Sequence, residues 1–471
     1  MAQLLQRFRN IASPAVRYSR ALSAQQHRFN QTSAQTNVST LPSGLRVVSE
    51  TDPAQKYETA TIAVVVNTGS CYETAKNNGV AHFLEHLAFK GTDRRTATGL
   101  ELEVENMGAS LNAFTSREHT VYIAKVFKQD VDKAVDILSD IIQNPKHSEA
   151  AIEQERGVIL REMAEVEKIM EEAVFDHLHS IAFQGSPLSY TILGPKENIN
   201  SFSKADFAEY IKTHYTADRM AIVGTGAVDH AQLEKLAEAS FTSLAKESPI
   251  DFSASVKPNY TGSALTIADD RTNGETTVAV ALEGAGWSSP DHVPLLVIQA
   301  MVGNYDKALG GGKNLSSRLG ELVATEDLAR KFSSFNTCYN GTGLFGNYFV
   351  TTGDKTEDMT CEVLSEYVRI AHDASDAEVE RAKRRLKSAT LMQTDGPSAA
   401  CEEIGRQMMS LGRRVPPAEM AARIDAIDTK TIRDVATRYF TDVEPSVVAV
   451  GDVMAFPDYN QIRGWTHWWR V

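Results

Sequence analysis

The sequence predicts an α+β protein of two homologous halves, each a mixed β-sheet packed with helices, in a bilobal, clam-like arrangement. Three observations carry this. At 471 residues the chain is too long for one ordinary hydrophobic core. Thr61-Ile62-Ala63-Val64 returns 216 residues on as Thr277-Val278-Ala279-Val280, each copy followed by a Gly-containing turn and an apolar helical pattern. His214-Tyr215-Thr216, with a strand ending at Gly226-Ala227-Val228, returns 225 residues on as Tyr439-Phe440-Thr441, with a strand ending at Gly451-Asp452-Val453. Nearly constant offsets that preserve the order of strands and helices describe a duplicated unit. The expected divisions are 1–36, 37–250 and 251–471, with the joint in the Ser-, Pro- and charge-rich stretch from Lys246 to Lys257.

The first segment is chemically unlike the rest. It carries Arg7, Arg9, Arg17, Arg20 and Arg28, Arg46 follows soon after, and no acidic residue occurs before Glu50. An Arg-rich, Ser-containing, acid-free N-terminus without the apolar run of a secretory signal predicts a mitochondrial transit peptide, the plainer alternative being a disordered tail. The whole chain has a net charge of −13, and loss of those arginines makes the remainder more acidic still. That balance argues against nucleic acid and suits basic ligands. No run approaches the roughly 18 apolar residues of a membrane span, so no transmembrane segment is expected. Cys71, Cys338, Cys361 and Cys401 are far apart and form no Cys-x-x-Cys pair; small buried hydrophobes in a reducing compartment are the expectation.

In the first half, His82-Phe83-Leu84-Glu85-His86 reads His-x-x-Glu-His. On a helix these three polar residues share one side, so two neutral imidazoles can converge on one ion with a carboxylate beside it. Zinc held by few protein ligands lowers the pKa of a bound water from ~15.7 towards ~7, and an adjacent Glu can take the remaining proton. That is the chemistry of peptide-bond hydrolysis. The bland alternative is that two of twelve histidines happen to lie on a helix surface. The duplication offers a check: at offset 216 the three positions become Ile298, Met301 and Val302, so a helix is expected there without ligands.

A third ligand must come from elsewhere. The pattern from Ser148 to Phe183 reads as one long helix carrying Glu153, Glu155, Glu162, Glu165, Glu167, Glu171 and Glu172. Most of these belong to a solvated face. Glu162 lies among Val158, Ile159 and Met163 and shares a face with Glu155, but spacing alone does not choose it over Glu165. In the second half, Leu309-Gly310-Gly311-Gly312-Lys313-Asn314-Leu315-Ser316-Ser317-Arg318 reads either as a flexible loop facing the other half or as an ordinary helix lead-in. It lacks the Gly-Lys-Ser/Thr ending of a phosphate-binding loop.

These motifs resemble the pitrilysin-type metallopeptidases with the inverted zinc motif. The match is carried by Leu41-Pro42-Ser43-Gly44-Leu45, His82 to Gly91, Ser110-Leu111-Asn112-Ala113, Glu155 to Met163, Phe175-Asp176-His177-Leu178-His179 and Leu193-Gly194-Pro195, in order and at family spacing. Within the family it looks like the β-type presequence-processing subunits and their relatives, the core 1 subunits of respiratory complex III. The resemblance implies that His82, His86 and Glu162 bind one Zn2+, that Glu85 activates water and that Glu155 is a supporting acid. It implies that Glu172 and Asp176 read a basic substrate residue; on one unbroken helix they return towards the direction of Glu162, and they are i, i+4 neighbours. It implies that strand Ser110 to Phe114, with Asn112 and Ala113, is an edge strand on which substrate lies extended. An α-type (core 2-like) partner subunit, basic presequence peptides, other complex III subunits and the matrix or matrix face of the inner membrane follow from the same resemblance. Because α-type members of that family lack the zinc residues and carry a longer glycine-rich loop, the resemblance implies the β type from the intact zinc set and the short Gly310-Gly311-Gly312, although Lys313 and Arg318 bring positive charge near the expected cavity. A non-catalytic core subunit of complex III is the alternative. His119, His177, His179 and His214 are expected to be packed or surface imidazoles, and the Trp465-Thr466-His467-Trp468-Trp469 tail to pack on the body or a partner.

Overall fold

The computed structural model describes residues 34–52, 55–252, 258–310 and 315–467. The segment read as a transit peptide therefore lies almost wholly outside the described residues, as do Lys313, Trp468 and Trp469.

The first half is built on six strands, β1 (Gln35–Thr40), β2 (Arg46–Thr51), β3 (Thr59–Val66), β4 (Ser110–Thr115), β5 (Thr120–Phe127) and β6 (Met220–Gly226), in the order β1-β2-β6-β3-β5-β4. β3 is apolar on both faces because it is covered on both sides. One face packs on α1 (Val80–Leu87), α2 (Ala97–Asn106) and α3 (Val131–Gln143), forming a core around Ile62, Val64, Phe83, Leu87 and Leu138. The other face is covered by a helix of the second half. α4 (Glu149–Val166) packs along α1, and α5 (Met170–Ala182) follows it.

The second half repeats the plan with β7 (Ser263–Ala268), β8 (Glu275–Gly284), β9 (Asn304–Asp306), β10 (Lys331–Cys338), β11 (Gly343–Thr352) and β12 (Ser446–Gly451), in the order β7-β12-β8-β11-β10-β9. Its helices include α6 (His292–Val302), α7 (Arg318–Glu326), α8 (Thr356–Asp373) and α9 (Pro397–Ser410). As the repeat requires, Ile298, Met301 and Val302 sit on α6 and are buried in the second core. β10 corresponds to β4. The edge of β10 carries the short β9, whose Asn304, Tyr305 and Asp306 pair antiparallel with Ser333, Phe332 and Lys331. β4 has β5 on one side and, among the described residues, no strand on the other.

The halves exchange helices. α5 lays Val174, Leu178 and Ala182 on Ala279, Ala281, Val448 and Val450 of the second sheet. α9 lays Cys401, Ile404 and Met408 on Ala63, Val65 and Val223 of the first. This exchange corrects the expectation of one helix from Ser148 to Phe183. The helix stops at Val166, and Ile169 is extended (φ −85, ψ 94) before α5 begins. No Gly or Pro marks the break; α4 is held on α1 whereas α5 must cross to the other sheet, and packing overrides local propensity.

Candidate metal and peptidase site

The site begins with the start of α1. Gly79 caps it at φ +100, and a Cβ there would stand 2.5 Å from the Leu193 carbonyl oxygen, so glycine alone fits the turn. The buried Glu73 carboxylate accepts hydrogen bonds from the Gly79 and Ala81 amides and from Asn78 Nδ2, each at 2.8 Å. It satisfies donors that an eight-residue helix leaves open and sets negative charge at the positive end of the dipole. The helix direction, and with it both imidazoles, is thereby fixed.

His82, Glu85 and His86 share the side of α1 that meets α4. His82 Nε2 lies 3.7 Å from Glu162 Oε1 and His86 Nε2 lies 3.1 Å from Glu162 Oε2. The three donor atoms stand within 4.8 Å of one another, and among the described residues this is the one such cluster. A tetrahedral ion with bonds of about 2.0–2.1 Å needs donor separations of about 3.4 Å, which these distances bracket. Glu162 Oε2, which faces His86 Nε2, is buried without a well-aimed hydrogen bond, as expected of a group arranged for an ion. The donor set fits a borderline metal of the zinc type.

The electrostatics agree. Burial, with His86 beside it, holds His82 down to about 4, so it is a neutral lone-pair donor at neutral pH. Burial also pulls His86 down, but the adjoining carboxylates, Glu162 foremost, outweigh it and leave its pKa above the ordinary value. The His86 neighbour holds Glu162 below the usual carboxylate range against partial burial. Glu85 is raised by burial despite Thr115 and His86, which pull it down. That shift moves it towards the range of a general base.

Glu155 is 3 % exposed and sits between an imidazole and an ammonium: its Oε2 is 3.3 Å from His86 Nδ1, and its Oε1 is 2.8 Å from Lys90 Nζ. The bond at Nδ1 leaves Nε2 free towards Glu162. Beside Glu85 a cavity of about 480 Å³ is lined by Phe89, Leu100, Val104 and Leu111 on its apolar side and by Asn112 and Ala113 of β4.

The recognition residues expected on α5 fare differently. Glu172 is exposed, whereas Asp176 is bound by Arg117 Nη2 at 2.6 Å. The break after α4 removes the expectation that both project along the direction of Glu162; their i, i+4 relation holds within α5. His119, His179 and His214 are buried and His177 is half-buried, all outside the cluster. Arg318 begins α7 and lines a cavity of the second half with Glu362 and Arg369. Trp465 packs on the second core. Lys90, Glu73 and Arg117 were not singled out from sequence. Lys90 stands four residues after His86 but beyond the end of α1, so helical spacing gave no signal for it.

A helix presenting two imidazoles and a carboxylate, completed by a second helix in only one of two homologous halves, defines a metallopeptidase. The chain belongs to peptidase family M16: residues 46–196 match "Insulinase (Peptidase family M16)" and residues 201–386 match "Peptidase M16 inactive domain". It is similar to proteins named mitochondrial-processing peptidase subunit beta. Identity is 49% with that of Lentinula edodes over 91% of this chain and 92% of the relative. It is 50% with that of Blastocladiella emersonii over 91% of each, and 46% with that of Homo sapiens over 93% of this chain and 88% of the relative. A chain of a solved Candida albicans complex III2 structure, bound to Inz-5, shares the fold with a TM-score of 0.81 at 22% identity, covering 92% of this chain and 99% of that one.

Proposed function

We propose that this chain is the metal-bearing β-type subunit of a zinc endopeptidase that removes N-terminal presequences from proteins imported into mitochondria. The reading rests on the convergence of His82, His86 and Glu162 beside Glu85 at an open sheet edge, in a chain whose relatives so named are 45–50% identical. His82, His86 and Glu162 hold the ion, and Glu155 orients His86 through Nδ1. When bound, zinc supplies a Lewis acid that polarises the scissile carbonyl and acidifies water. Glu85 takes a proton from the attacking water and returns it to the leaving amide nitrogen. The open edge of β4, at Asn112 and Ala113, pairs with the substrate backbone, which suits substrates with no common sequence. Glu172 and Asp176 grip an arginine by charge-assisted bonds.

In this reading residues 1–36 are the chain's own transit peptide, 37–250 the catalytic half and 251–471 the non-catalytic half. The enzyme works at the matrix side with an α-type partner. The test is reconstitution with such a partner and assay on an Arg-containing presequence peptide. Zinc-dependent cleavage is expected. A chain that binds zinc and travels with complex III yet cleaves nothing with its partner would overturn the reading in favour of a structural core subunit.

A further inference from the structure

Arg117 sits on the turn between β4 and β5, and its side chain is 10% exposed. Its Nη2 donates to Asp176 Oδ1 at 2.6 Å. The turn cannot swing away: the Arg117 carbonyl accepts from the Cys71 amide at 2.9 Å, and a Cβ on Gly69 would stand 2.3 Å from Ser116 O and 2.7 Å from Arg117 O. Beside the guanidinium, Tyr339 Oη lies 2.6 Å from His179 Nε2, and His179 Nδ1 faces the Phe175 carbonyl at 2.7 Å. Burial, with the Arg117 guanidinium beside it, holds His179 well below the ordinary imidazole range, so it adds no charge here. The neighbouring Glu118 is engaged elsewhere, by the Asn340 amide at 2.6 Å. Asp176 is thus the acid that balances a fixed, buried cation, while Glu172, one turn earlier, is exposed.

We propose that Arg117 is a built-in counter-charge that specifies how strongly the Glu172–Asp176 pair reads a basic substrate residue. The pair then presents about one net negative charge rather than two, and Glu172 is its uncompensated member. This rests on the peptidase reading above.

The experiment compares two presequence peptides that differ only by arginine or its neutral isostere citrulline at the basic position near the scissile bond. The protein is the intact heterodimer. Arg117→Gln is expected to raise the arginine-over-citrulline ratio of kcat/KM about fivefold, through KM, as removal of one partly screened charge should. Arg117→Lys, which keeps the charge, should stay near the native ratio. An unchanged or smaller ratio in Arg117→Gln would overturn the proposal. Should that variant not fold, two acid variants decide. Asp176→Asn strands a buried guanidinium and should lower Tm as well as the ratio, whereas Glu172→Gln should lower the ratio at unchanged Tm. Equal Tm values for the two would overturn it as well. Failure of the native heterodimer to cleave either peptide would instead sink the peptidase reading.

Discussion

His86 and Glu155 are joined through the imidazole nitrogen that faces away from the metal cluster, Nδ1 to Oε2 at 3.3 Å, and Lys90 holds the other oxygen at 2.8 Å. Glu155 thus stands where an orienting group would and adds no atom to the donor cluster. Glu155→Gln is expected to weaken zinc binding by about 10- to 100-fold, because the ring loses its fixed tautomer and orientation. Chelator competition measures this directly, and unchanged affinity would deny the orienting role.

Glu85 contributes no donor atom to the cluster. Glu85→Gln should leave one zinc per chain by elemental analysis and reduce peptide cleavage by at least about 10²- to 10⁴-fold. Loss of metal along with activity would show that Glu85 helps to hold the ion.

Glu73 closes the start of α1 with three accepted hydrogen bonds while 2% exposed. Glu73→Ala leaves buried donors unpaired, at a cost of about 1–3 kcal/mol each. Thermal melts of the metal-free protein should show the loss, with zinc affinity falling because the helix that carries both imidazoles is no longer pinned.

The two halves are tied by a buried pair in which Arg414 Nε and Nη2 bond Glu50 at 2.9 and 3.1 Å. Glu50→Gln leaves the arginine uncompensated and should cost about 3–5 kcal/mol in chemical denaturation. Replacing both residues by apolar ones of similar volume should recover most of it.

Acid should destabilise the chain. Burial holds His119, His147 and His292 down to about 4 and His214 to about 3. The unfolded chain takes up these protons near 6.5 and the folded one does not, so their stability is present above that pH and is lost as pH falls. Glu73 and Glu118, pushed up to about 7 by burial, act oppositely: their stabilisation is present below 4.5 and is lost as pH rises through 7. Burial lowers His82 and His179 as well, so among the strongly shifted groups six imidazoles outweigh two carboxylates, and the Tm of metal-free protein should drop between pH 7 and pH 5. A flat profile would mean that these imidazoles protonate without unfolding.

Much of this was legible in the sequence because it lies in local periodicity. The repeat of β3 in β8 shows as a four-residue match, Thr61-Ile62-Ala63-Val64 with Thr277-Val278-Ala279-Val280, and the spacing of His82 and His86 is a property of any helix. What was not legible depends on contacts across the chain. The break at Ile169 has no glycine or proline to announce it and is set by the second sheet. Glu73 reaches α1 through a loop with no motif of its own. The pairing of Arg117 with Asp176, 59 residues apart, belongs to tertiary structure alone. Spacing also left Glu162 and Glu165 level, and it is the facing of α4 onto α1 that brings Glu162 to the histidines.

The short strand β9 has a bearing on any attempt to engineer a second centre. Grafting histidines and glutamate onto Ile298, Met301 and Val302, with a carboxylate opposite, could at best recreate an ion cage. Its neighbouring edge would stay occupied by the chain's own Asn304-Tyr305-Asp306, so an incoming peptide would have to displace a covalently tethered competitor at very high local concentration. Loss of chemistry in the second half is thus doubly locked. Reviving it requires evicting the resident strand as well as restoring the ligands.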